Sequence, residues 1–174
     1  SGPWRGSYFT GLEGSLRVPF LIRWPGQVPP RSVSNEIVHE MDLYTTLASW
    51  AGADIPSDRM IDGVDQADFF RGKSEKSNRE SVIVYVGPEI FGVKWRNWKL
   101  VMKELDSGFG IPVKTYPIPL FYNLLEDPKE EHPFQEGEKS LWVRYPAGDA
   151  LASHVRSLAL EKPIKPGTPD PYTP

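Results

Sequence analysis

Residues Gly11–Gly26 read GLEGSLRVPFLIRWPG, and the fold turns on how this stretch is covered. Within it Leu16–Trp24 (LRVPFLIRW) sets Phe20, Leu21 and Ile22 side by side. A continuous apolar run of this length, closed by Trp24-Pro25-Gly26, predicts a strand buried on both faces, as in a parallel sheet. Burying each of Phe20, Leu21, Ile22 and Trp24 is worth roughly 1.5–3 kcal/mol. Leaving all four wet forfeits on the order of 6–12 kcal/mol, comparable to the stability of a whole domain. Something has to cover that strand.

Upstream, Ser1–Gly14 has glycines at 2, 6, 11 and 14 and no periodic pattern, which predicts an irregular loop. Downstream, Leu43, Leu47 and Trp50 share one face of a helix over Leu43–Ala51, with Asp42 as its N-cap and Gly52 as its stop. Met60–Gly72 (MIDGVDQADFFRG) reads as a turn and a short helix capped by Asp65. Ser81–Gly87 and Ile90–Lys103 have strand composition, with a hairpin turn at Arg96-Asn97. Leu120–Leu124 adds another strand, and Leu151, Val155 and Leu158 place a terminal helix over Gly148–Lys162 that covers the sheet. The tail Pro163–Pro174 is too rich in proline for helix or ladder.

The chain has 174 residues, a net charge of −3 and no cysteine. That length suits one core, and the charge offers no footprint for nucleic acid or an anionic membrane. Without cysteine there is neither a disulfide framework nor a thiolate metal site. No apolar run approaches a membrane span, and no signal segment is seen, so a soluble chain of undetermined compartment is expected.

Several segments, in order, resemble the sulfatase family. GLEGSLRVPFLIRWPG is similar to the family's Glu-Gly-Gly turn, Arg-Val-Pro, buried strand and Trp-Pro-Gly. VSNEIVHEMDLYTTLASWAGADIP is similar to its histidine and Asp-Leu-Tyr/Phe-Pro-Thr-Leu segment, and IDGVD to its Asp-Gly-Val-Asp turn. VKWRNWKLV and LFYNLLEDPKEE resemble its Trp-Lys-Leu hairpin and its closing strand. The resemblance implies the C-terminal part of an alkaline-phosphatase-like α/β fold, α+β for this segment. It would hold the end of the large sheet plus a small antiparallel sheet under a C-terminal helix. Three regions are expected: 1–72 as the end of the large α/β domain, 73–162 as the antiparallel subdomain with its helix, and 163–174 as a tail.

In function, the resemblance implies an arylsulfatase-like hydrolase of small sulfate esters. The family's nucleophile, a formylglycine made from a Cys/Ser-x-Pro-x-Arg motif, has no counterpart here. Calcium and formylglycine are therefore implied for the parent enzyme, and this chain alone is expected to be inactive. Its expected partner is a missing N-terminal half, or a second copy by self-association. An interaction module, or a segment of a phosphate-ester hydrolase, stands as the alternative. The family lysine that binds sulfate lies five residues before the glutamate, where this chain has Tyr8. The substrate pocket is accordingly assigned to Trp4, Arg5, Tyr8, Phe9 and Thr10, with Arg5 the nearest cation, and Ser1 is the candidate for a metal-motif position. Glu13 and Arg17 are expected to hold the loop together. His39, His132 and His154 show no metal spacing, and Asp62, Asp65 and Asp68 suit caps and turns.

Overall fold

The structure, a computed structural model, describes residues 2–105, 112–134, 137–162 and 167–169. Its elements in chain order are α1 (Glu13–Leu16), α2 (Asp42–Ala51), α3 (Ala67–Phe70), β1 (Ser81–Val86), β2 (Glu89–Trp95), β3 (Trp98–Glu104), β4 (Lys114–Asn123) and α4 (Gly137–Leu160). The strands form a four-stranded antiparallel meander in the order β1-β2-β3-β4. The expected hairpin is present: Arg96 adopts φ 51° and the flanking register pairs Trp95 with Trp98 and Lys94 with Lys99. β4 is an edge strand that carries Pro117 and Pro119, neither of which can donate to a ladder.

Because side chains alternate along a strand, the sheet has two differently built faces. On one, Val93, Trp98, Leu100 and Phe121 are buried against Val143 and Ala147 of α4, with Trp95, Ala150 and Leu151 at the margin. Trp142 meets Trp95 and Trp98 edge-on at 5.8 and 6.0 Å between ring centroids. The helix over the sheet was legible, but it starts at Gly137, not at Gly148. It runs through Pro146, the residue that makes the sequence read as a break. Its anchor is the first half, since Val143 and Ala147 are fully buried while Val155 is half exposed. The other face carries Val101 and Tyr122, packed with Leu124, and also Lys94 and Lys99.

The apolar run departs from expectation. The sequence predicts a loop over Ser1–Gly14, yet Glu13–Leu16 makes one helical turn, and residues 17–24 carry no strand. Leu21 is 94% exposed and Phe20 47%. A strand needs a neighbouring strand for its backbone groups, and every strand among the described residues belongs to the meander. What the run does find is aromatic: Phe20 stacks on Phe70 at 5.5 Å, and Trp24 meets Trp50 edge-on at 4.8 Å.

α2 occupies Asp42–Ala51 and ends at Gly52, whose φ of 69° and bonds to the Ala48 and Ser49 carbonyls close the helix as expected. Its orientation does not follow the apolar stripe. Asp42, Thr45 and Thr46 are buried, whereas Leu47 is 57% exposed. Met41 holds the cap position instead of Asp42. The reason is a hydrogen-bonded hub. The Asp42 carboxylate accepts from the His39 and Val64 backbone N–H groups and from the Arg79 guanidinium. Gly63 sits so close to α2 that a Cβ there would lie 2.4 Å from the Met41 carbonyl oxygen, which is why the Asp-Gly-Val turn needs its glycine. Gln66, not Asp65, holds the cap position of α3, and Asp65 accepts the Ala67 N–H at 2.7 Å from one residue earlier.

Candidate functional site

The segment assigned to substrate is a loop rooted in the second face of the sheet. Gly14 donates its N–H to the Arg5 carbonyl at 2.8 Å, closing residues 5–14 into a ring. A Cβ on Gly14 would fall 2.6 Å from both the Arg5 and Gly6 carbonyl oxygens, so this crossing admits only glycine. Thr10 is buried and donates its hydroxyl to the Ser7 carbonyl at 2.9 Å, forming a tight turn. On that turn Tyr8 is 79% exposed and Phe9 58%, with their rings 6.5 Å apart, and Phe9 takes φ 63°. A left-handed phenylalanine is costly, and here it directs an aromatic pair outward.

The expected residues therefore fall into three groups. Tyr8 and Phe9 are displayed together. Thr10 is the anchor beneath them and presents no side chain outward. Trp4 and Arg5 lie at the stem: Arg17 stacks its guanidinium 4.8 Å from the Trp4 ring, and Arg5 pairs with Glu104 at 3.2 Å. Glu104 also accepts from the Tyr116 hydroxyl at 2.6 Å. Arg5 is thus engaged by a carboxylate, so as a ligand for an anion it would first have to exchange that partner. Ser1 lies outside the described residues.

Below the loop is the feature that the sequence reading missed. Glu13 is 1% exposed and its carboxylate gathers three cations: Arg17 Nε at 2.5 Å, Lys94 Nζ at 2.8 Å and Lys99 Nζ at 3.3 Å. Lys99, itself fully buried, also reaches the Glu130 carboxylate at 2.7 Å. The second oxygen of Glu130 accepts the Glu13 backbone N–H at 2.7 Å. Burial alone would push the Glu13 carboxyl upward, but Lys99 and Lys94, with hydrogen bonds from Lys94 and Arg17, outweigh it and hold it down to about 2. Burial pulls the Lys94 ammonium down, against the attraction of Glu13. Glu13 and Arg17 hold the loop together as the sequence suggested, and a signal for the rest was present. A two-residue turn at Arg96-Asn97 forces Lys94 and Lys99 opposite one another, and like charges so placed call for a buried anion.

Nothing in this arrangement is a nucleophile beside a base. Among the described residues no group of three or more His, Cys, Asp or Glu could hold a metal ion. The buried carboxylates Glu13, Glu130 and Asp42 do not fit calcium, since the first two are neutralised by lysines and the third by Arg79. An apolar recess of about 350 Å³ lies between the α4-covered face and β4, lined by Val93, Leu100, Pro119, Phe121 and Arg144, away from the Tyr8 turn. No helix of the described residues is long and apolar enough to cross a membrane.

Comparison with known proteins gives a consistent picture. Residues 9–141 match the family model described as N-sulphoglucosamine sulphohydrolase, C-terminal. Steryl-sulfatase of Mus musculus is 38% identical over 76% of this chain and 24% of its own length. Arylsulfatase D of Homo sapiens is 27% identical over 91% of this chain and 31% of its own. The crystal structure of the PsFucS1 sulfatase from Pseudoalteromonas sp. superposes with a TM-score of 0.82 at 25% identity, covering 94% of this chain and 34% of that one. The chain spans about a quarter to a third of the length of the relatives it matches.

Proposed function

Because this chain belongs to the sulfatase family, we propose that it serves a hydrolase of small sulfate esters, completing that enzyme's fold and forming one wall of its substrate cleft. The wall is the Trp4–Gly11 loop, with Tyr8 and Phe9 toward substrate. Formylglycine as nucleophile and calcium as its charge partner come, in this reading, from sequence other than these residues. When bound, the cation would stabilise the anionic ester oxygens. This chain's own residues orient the substrate and do no bond-making.

One observation carries the reading: the family model spans residues 9–141, while the matched relatives are three to four times as long as their matched portions. The exposed run at 17–24 supports it. Phe20, Leu21 and Ile22 then belong against the strands and helices of the remaining two-thirds of the enzyme, which is the partner proposed here. Self-association of the isolated chain uses the same surface.

The test compares the isolated chain with the full-length protein on an aryl sulfate and on the matching aryl phosphate. The expectation is no turnover by the chain alone and sulfate release by the full-length protein. Sulfate release by the purified chain above the blank, or preference of the full-length protein for the phosphate ester, would overturn the reading.

A further inference from the structure

Three chain segments meet at one buried ammonium. Lys99 from β3 is paired with Glu13 at the root of the substrate loop and with Glu130 from the segment after β4. We propose that Lys99 and Glu130 are positioning residues of the cleft wall, fixing the Trp4–Gly11 loop through Glu13 at the place where it meets substrate. The proposal rests on the reading of that loop given above.

The first argument is economy. Buried ion pairs add little net stability compared with an apolar packing of the same volume. The second face of this sheet nevertheless buries Lys99, Glu13 and Glu130, with Lys94 half-buried beside them, where its neighbours are Val101, Tyr122 and Leu124. What such a cluster supplies is direction, because each ammonium and carboxylate must be met at hydrogen-bonding distance. The second argument is attachment. Glu13 is held by its main chain and its side chain at once, the N–H on Glu130 and the carboxylate on Lys94, Lys99 and Arg17. Glu13 lies inside the ring that Gly14 closes on Arg5, whose turn displays Tyr8 and Phe9. The third is coupling. With Lys94 and Lys99 opposite each other in the ladder, the hairpin tolerates both only while Glu13 is seated between them. A docked loop and a settled hairpin are therefore one event.

The experiment uses Lys99→Met and Glu130→Gln in the full-length protein. The glutamine keeps an acceptor for the Glu13 N–H and replaces the oxygen facing Lys99 with an amide NH2, a near-isosteric change that guards against a variant that fails to fold. Two readouts are taken: amide hydrogen exchange, and kcat and KM for a compact and a bulky aryl sulfate. The expected result is exchange at Thr10 and Gly14 faster by about tenfold while the β2–β3 amides stay protected. With it, KM for the bulky ester rises about tenfold in Lys99→Met, less in Glu130→Gln, at nearly constant kcat. Unchanged exchange in the loop in both variants overturns the proposal whatever the kinetics. Faster exchange with unchanged KM for both esters overturns it as well. A wild-type protein that hydrolyses no sulfate ester defeats the functional reading instead, and the exchange data then still decide whether these residues hold the loop.

Discussion

Asp42 is a carboxylate taken fully out of water and then given every partner it needs: two backbone N–H groups and a bidentate arginine. Burial resists its ionisation, but the Arg79 hydrogen bonds and those from Val64 and His39 win, and its pKa is lowered from 3.8. Removing one member of such a pair strands the other charge. Asp42→Ala is expected to cost about 3–5 kcal/mol in denaturant unfolding, whereas breaking the solvent-screened pair Asp58–Arg59 should leave the unfolding midpoint in place. Acid stability follows the same groups. Glu13 and Asp42 both have folded pKa values below their ordinary 4.5 and 3.8. Their contributions are therefore complete above about pH 4.5 and are lost as pH falls toward 2. Melting temperature should drop steeply across that window, and the Glu13→Gln variant should show a lower plateau with a flatter acid limb. An identical acid limb in the variant would show that Glu13 is not the group responsible. At this scale the sequence was half legible. Glu13 and Arg17 read correctly as loop supports, but Lys99 and Glu130 did not, because a buried lysine in a strand looks like a solvated one until its cross-strand neighbour is considered.

Elements were legible wherever local chemistry alone dictates them. Gly52 ends α2 in a left-handed conformation with nothing within 4 Å of the position a Cβ would take. Gly52→Ala should therefore cost only backbone strain, about 1 kcal/mol, measured as a shift of the unfolding midpoint at constant slope. A loss several times larger would mean that the cap is tied to tertiary packing. The Arg96-Asn97 hairpin was legible for the same reason. Two elements were not. Pro146 sits inside α4, which starts eleven residues before the expected Gly148 and is anchored by Val143 and Ala147 on either side of that proline. Val143→Ala should cost on the order of 2 kcal/mol because that side chain is fully buried between helix and sheet. The second is the run after Arg17, whose composition is that of a strand but which finds no ladder here. Pattern reports what a segment prefers, and the partner decides whether it gets it.

At the scale of the molecule, the meander is closed on both faces while the region around α2 is left open. Leu21, Phe20, Leu47 and Tyr44 are all at or above 47% exposed, and large exposed apolar patches mark interaction surfaces. The isolated chain is expected to gain mass with concentration in sedimentation and to bind a hydrophobic dye, and Phe20→Ser with Leu21→Lys should restore a monomer. A wild-type chain that stays monomeric at all concentrations would count against the missing cover. The family was legible from Gly11–Gly26 together with the segments that follow it in order. Which face α2 would bury was not, because the polar hub at Asp42 overrules the stripe.

Pro117 and Pro119 on the outermost strand now take on a wider meaning. A polypeptide with bare hydrophobic surface is exposed to a second hazard during synthesis, the lateral zipping of its sheet onto that of a sister molecule into fibrillar ribbon. Two missing donors on that flank remove the template for such growth. What association remains open to the chain runs through side chains such as Phe20 and Leu21, a reversible embrace instead of an amyloid seed.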